Sequence, residues 1–99
     1  MLNIKKTIEN DTALFVLEGR LDTVAAPSLE QAFAETLTGV NELTLDFAGL
    51  EYISSAGLRV LLSAHKTMAK KNGMKLINVS ETVMEIFEVT GFSGILTIE

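Results

Sequence analysis

The chain has 99 residues and 10.7 kDa, with 47% hydrophobic and 21% charged side chains, enough for one apolar core, so a single domain over residues 1–99 is expected. It contains no cysteine, which excludes disulfides, thiolate chemistry and cysteine-held zinc or iron–sulfur sites. Thirteen Asp/Glu against eight Lys/Arg give a net charge of -5, a balance opposed to general phosphate-backbone binding, and no nucleic-acid partner is expected. The longest aliphatic or aromatic run, Ala13 to Leu17, is far short of the roughly 20 residues of a membrane span, and the first thirty residues carry no signal-peptide pattern. A cytoplasmic protein without direct membrane insertion is the expectation.

Leu2 to Thr7 and Thr12 to Glu18 are apolar-rich runs separated by Glu9-Asn10-Asp11, which predicts a hairpin. Gly19-Arg20-Leu21-Asp22 is then expected to carry the chain off the sheet. Leu29, Ala32, Phe33 and Leu37 follow Pro27 at helical spacing and predict a helix over Ala25 to Leu37, stopped by Gly39. Glu42 to Phe47, with Leu43, Leu45 and Phe47 on one side, predicts a largely buried strand with Asp46 near its C-terminal end. Leu58, Leu61, Leu62, His65, Met68 and Ala69 recur at intervals of three and four, the mark of an amphipathic helix ending near Asn72-Gly73. Lys75 to Val79 reads as a further strand. Ser80 then caps a third helix with Val83, Ile86, Phe87 and Thr90 on its apolar stripe, Gly91 ends it, and Ile95 to Ile98 supply a small edge strand. The order β-β-α-β-α-β-α-β has helix-length crossovers, so the fold class is α/β, a mixed sheet of four to five strands with helices over its parallel part.

Charge is segregated along the chain. Between Tyr52 and Ser80 lie Arg59, Lys66, Lys70, Lys71 and Lys75 with no acidic residue, whereas Glu81, Glu85, Glu88 and Glu99 close the chain without a Lys or Arg. Two readings fit this pattern: solvated faces on neighbouring helices, or a docking surface for a complementary partner.

The segment Tyr52-Ile53-Ser54-Ser55-Ala56-Gly57-Leu58-Arg59 stands apart from ordinary element-building. It sets two serines and a glycine at a strand-to-helix junction, where free amides and partial positive charge accommodate a phosphate. The same residues also read structurally, with Ser54 as N-cap, Ser55 in the first turn and Gly57 permitting close helix packing. A serine nucleophile would need a base within about 3 Å, yet the only histidine, His65, lies about 15 Å along the same helix. His65 instead reads as a partly buried, hydrogen-bonded residue of the apolar stripe. Asp22 and Asp46 could approach one another at one end of the sheet, but each also suits a structural role, in a loop and at a strand end. With no metal-ligand spacing and no glycine-rich phosphate cradle after any strand, no enzyme activity, cofactor or metal is expected.

These motifs taken together resemble the STAS domain family, in particular its small bacterial anti-sigma factor antagonists. Gly19-Arg20-Leu21-Asp22 is similar to the family's G-E-[LI]-D, and Ala26-Pro27-Ser28-Leu29 to its A-P-x-L. Tyr52-Ile53-Ser54-Ser55-Ala56-Gly57-Leu58 is similar to [YF]-[MI]-D-S-[ST]-G-L, and Ile86-Phe87-Glu88-Val89-Thr90-Gly91-Phe92 to L-F-x-[IV]-[TS]-G-L. The resemblance implies a four- or five-stranded sheet backed by helices on one side. It places the family's phosphorylated serine on Ser55, modified by a partner anti-sigma factor of the serine-kinase type and restored by a PP2C-type phosphatase. The unphosphorylated protein would bind the anti-sigma factor and free the sigma factor. Partner contacts are then expected at Arg20, Asp22, Thr23, Ser54, Ser55, Ala56, Gly57, Leu58 and Arg59.

Three positions depart from the family pattern. Ser54 stands where aspartate is usual, Arg20 where glutamate is common, and Ala56 where a second hydroxyl is common. Ser54 thereby becomes a second candidate phosphoacceptor, and Arg20 reverses the charge at an expected contact. A non-switching adaptor in a stress-signalling or lipid-transport complex, with purely structural serines, is the alternative function.

Overall fold

The computed structural model describes residues Met1–Glu99. Strands β1 (Leu2–Glu9) and β2 (Thr12–Leu21) form the hairpin, joined by Asn10-Asp11 with Asn10 at φ 54°, a conformation asparagine tolerates better than most residues. There follow α1 (Ala26–Thr36), a 3₁₀ turn (Leu37–Gly39), β3 (Glu42–Ile53), α2 (Ser55–Ala69), β4 (Met74–Ile77), α3 (Glu81–Thr90), a second 3₁₀ turn (Phe92–Gly94) and β5 (Thr97–Ile98).

The five strands lie in sequence order across one sheet; β1 and β2 are antiparallel and every later pair is parallel. Successive crossovers that step in one direction with the same right hand leave their helices on the same face. Burial along the strands shows the result. Ala13, Phe15 and Leu17 of β2, Leu43, Leu45 and Phe47 of β3, and Met74 and Leu76 of β4 are buried beneath the helices. Their neighbours Leu14, Val16, Thr44, Asp46 and Ile77, on the opposite face, are only half-buried. Leu29 and Phe33 of α1, Leu61 and Met68 of α2, and Val83 and Phe87 of α3 close the core, with the rings of Phe15 and Phe33 5.0 Å apart. Burying side chains of this size contributes about 1.5–3 kcal/mol each.

Two expectations about strand length are corrected. Gly19 and Arg20 do not lead the chain away: β2 stays paired through Leu21 by taking two register irregularities, one between Val16 and Glu18 and one at Gly19/Arg20. Gly19 sits at φ 97°, and the amide of Arg20 donates to the Met1 carbonyl at 3.3 Å. Likewise β3 continues past Phe47 to Ile53, because Leu50 and Ile53 are still buried against the helices. Asp46 therefore lies mid-strand, where its Oδ1 accepts from Ala48 N at 3.0 Å and Asn78 Nδ2 at 3.2 Å.

Other differences are smaller. The first helix begins at Ala26, ends at Thr36 and tightens into the 3₁₀ turn, while β4 ends at Ile77 because Asn78 turns to φ 58°. Thr90 is exposed and binds its own helix, donating from Oγ1 to the Ile86 carbonyl at 2.7 Å. Lys71 is not part of a solvated face. Half-buried, it donates from Nζ to the carbonyls of Leu37 (2.5 Å) and Val40 (2.8 Å), tying the end of α2 to the turn after α1.

Candidate functional site

The site is built where β2 and β3 end side by side. Leu21 pairs with Ile53, and the Ser54 amide donates to the Leu21 carbonyl at 2.8 Å, so the loop after β2 and the start of α2 are joined by main chain. Ser54 is the N-cap of α2: its backbone is extended (φ -87°, ψ 172°) and its Oγ accepts from Gly57 N at 3.2 Å. At 8% exposure, its hydroxyl is engaged and withdrawn from solvent. Ser55, at the first helical position, is exposed. Of the two candidate phosphoacceptors, Ser55 alone is exposed to solvent.

Gly57 is required by the packing. A Cβ there would stand 2.7 Å from Leu21 Cγ, 2.9 Å from the Leu21 carbonyl oxygen and 3.1 Å from Ile53 Cγ2. Leu58, 6% exposed, points into the core. Ser54, Gly57 and Leu58, expected among the contacts, thus shape the surface from beneath. Arg20, Thr23, Ser55 and Arg59 are exposed, with Asp22 and Ala56 half-buried between them. Asp22 Oδ1 accepts from Ala25 N at 2.9 Å, and the Asp22 carbonyl accepts from Ala26 N at 2.9 Å, which fixes the loop that leads into α1.

Arg20 and Tyr52 face each other across β2 and β3, and the guanidinium carbon lies 4.5 Å from the centre of the tyrosine ring. This stacking orients the cation toward solvent and is worth about 0.5–1 kcal/mol at an exposed site. Arg20 is among the contacts expected from the sequence, but its pairing with Tyr52 is not legible there, because it exists only where β3 extends to Ile53. Val24, on the same loop as Thr23, is 87% exposed, which an isolated valine does not signal in the sequence. On the helix side, Thr23, Pro27, Glu30, Ala56 and Arg59 line a shallow groove of about 370 Å³ between the α1 and α2 starts.

The remaining candidates lie elsewhere. His65 is half-buried near the other end of α2, in a separate groove with Glu42, Lys75 and Glu99, and its buried Nδ1 has no hydrogen-bond partner, contrary to the satisfied histidine expected. Asp46 sits opposite Val16, on the order of 20 Å back along β2 from Asp22, so the two carboxylates do not meet. No three His, Asp or Glu side chains converge as a metal site, and no helix is long and apolar enough to cross a membrane.

Fold and site define a small α/β domain with a one-sided helical layer that presents an exposed serine beside the ends of two parallel strands. Residues 3–99 match the STAS domain model, and the chain belongs to that family. It is 36% identical over 84 residues to the Bordetella bronchiseptica protein BtrV, named as a candidate anti-sigma factor antagonist, covering 83% of this chain and 72% of the relative. It is 30% identical over 94 residues to the anti-sigma-B factor antagonist of Bacillus subtilis, covering 94% of this chain and 85% of the relative. An anti-sigma factor antagonist from Mycobacterium paratuberculosis superposes with a TM-score of 0.88 at 20% identity, over 99% of this chain and 85% of that one. The α/β architecture, element order and one-sided helical layer expected from sequence are those of this fold.

Proposed function

We propose that this protein is a cytoplasmic anti-sigma factor antagonist switched by phosphorylation at Ser55. Unphosphorylated, it binds an anti-sigma factor of the serine-kinase type and so releases a sigma factor. The kinase transfers a terminal phosphoryl group to Ser55 Oγ, and a PP2C-type phosphatase removes it.

The observation that carries this reading is the division of labour between adjacent serines: Ser54 is buried and used as the helix cap, while Ser55 is exposed and takes no part in the cap. A phosphate on Ser55 adds about -1.5 to -2 charges in the middle of the surface formed by Arg20, Thr23, Ala56 and Arg59. Like-charge contact and desolvation of that group against a docked partner cost several kcal/mol, enough to separate bound from free. The relatives named for antagonism of anti-sigma factors support the same partner class. The domain acts here by binding; its only histidine is remote from the exposed serine, and the chemistry belongs to the kinase and phosphatase.

The test is calorimetric titration of the serine-kinase anti-sigma factor of the source genome with the unphosphorylated and Ser55-phosphorylated proteins. The reading predicts a complex that weakens at least tenfold on phosphorylation. Equal affinity of the two forms would contradict it.

A further inference from the structure

Ser55 and Arg59 are four residues apart on α2, so one helical turn brings their side chains to the same face. Both are exposed. The ion pairs within 4.0 Å join Lys5 to Glu18 and Lys75 to Glu99, which leaves Arg59 without a carboxylate. Its own helix provides none, because Ser55–Ala69 contains no Asp or Glu. Among the charged groups around it, Asp22 has Oδ1 engaged by the Ala25 amide, and Arg20 lies on the Tyr52 ring. Glu30 of α1 shares the groove with Arg59 but stands beyond ion-pair distance. Arg59 is an unpartnered cation one turn below an exposed hydroxyl.

We infer that phosphorylation of Ser55 supplies the missing anion, closing an intramolecular ion pair between the phosphate and the Arg59 guanidinium; this rests on Ser55 being the modified residue. In the transfer, Ser55 Oγ bonds to the terminal phosphorus of a nucleoside triphosphate, the hydroxyl proton passes to the kinase's base, and the bond from that phosphorus to the bridging oxygen breaks so that the nucleoside diphosphate leaves. An anion four residues before a cation is the favourable order on a helix, and a planar guanidinium offers two parallel N–H donors to phosphate oxygens. The phosphate is therefore held at the start of α2 without cost to the helix. A guanidinium held on the phosphate no longer meets a partner's carboxylate, so one modification changes two side chains of the binding surface.

The pair is tested with phosphoserine installed at position 55 of the full chain during synthesis, so that no kinase is needed. Phosphorus NMR then follows the second phosphate ionisation, near pH 6 for an unpaired phosphoserine, in the otherwise wild-type protein and in Arg59→Gln and Arg59→Lys. The ion pair predicts a midpoint about 0.3 pH units or more higher in Arg59→Gln, a midpoint largely restored to the lower value in Arg59→Lys, and a difference that shrinks in 1 M salt. An identical midpoint with arginine and glutamine overturns the pair. Site mapping of phosphate in protein from cells tests the Ser55 assignment itself, so failure of that assignment and failure of the ion pair are told apart.

Discussion

Gly57 lies so close to Leu21 that a Cβ added to it would stand 2.7 Å from Leu21 Cγ and 2.9 Å from the Leu21 carbonyl oxygen. The same carbonyl accepts the Ser54 amide at 2.8 Å. One residue at the end of β2 thus sets both the depth and the angle at which α2 begins, and with them the position of Ser55.

Substitution of Gly57 by alanine forces Leu21, Ile53 or the start of α2 to shift. The expected loss is about 1–3 kcal/mol, the usual range for overpacking a filled core. Urea denaturation followed by circular dichroism measures it. Gly39→Ala, where an added Cβ meets nothing within 4 Å, is the control and should lie within about 0.5 kcal/mol of wild type.

The two serines should separate cleanly in stability measurements. Ser54→Ala removes the oxygen that accepts from Gly57 N and should cost about 1 kcal/mol, the usual value of an N-cap. Ser55→Ala removes an exposed hydroxyl and should change stability by less than about 0.5 kcal/mol. Thermal unfolding of the two variants side by side checks the contrast.

In binding, the ranking of the serines reverses. Ser55→Asp should weaken the complex with the anti-sigma factor, whereas Ser55→Ala should keep the complex and take up no phosphate from the kinase. Titration calorimetry and a phosphate-incorporation assay on both variants give the readout. Continued incorporation into Ser55→Ala would move the modification to another residue.

Lys71 offers a prediction independent of the site. Lys71→Met keeps most of the apolar stem but removes the ammonium that the Leu37 and Val40 carbonyls accept from. Leaving those carbonyls unpartnered should cost about 1–3 kcal/mol, read as a lowered midpoint in urea.

Much of this fold is legible in the sequence because its periodicities are local. The three- and four-residue spacing from Leu58 to Met68, the caps at Ser54 and Ser80, and the stop at Gly91 each set an element without reference to distant residues. What local pattern does not contain is where a strand ends when it crosses irregularities. The strands expected to end at Glu18 and Phe47 continue to Leu21 and Ile53 because Leu21, Leu50 and Ile53 still have a core to enter. For the same reason the Arg20–Tyr52 stacking and the Leu21–Gly57 contact were hidden: each joins residues more than thirty positions apart. The junction itself, Ser54 to Gly57, was visible as a motif, but burial was needed to divide its residues into those that support the surface and those that form it.

The most direct measurement is intact-mass and site-mapping mass spectrometry of the protein recovered from its native cells, with and without phosphatase treatment. The account predicts a single phosphatase-sensitive phosphate, carried on Ser55 and not on Ser54. Unmodified protein across growth and stress conditions would contradict it and return both serines to a purely structural role in a non-switching adaptor.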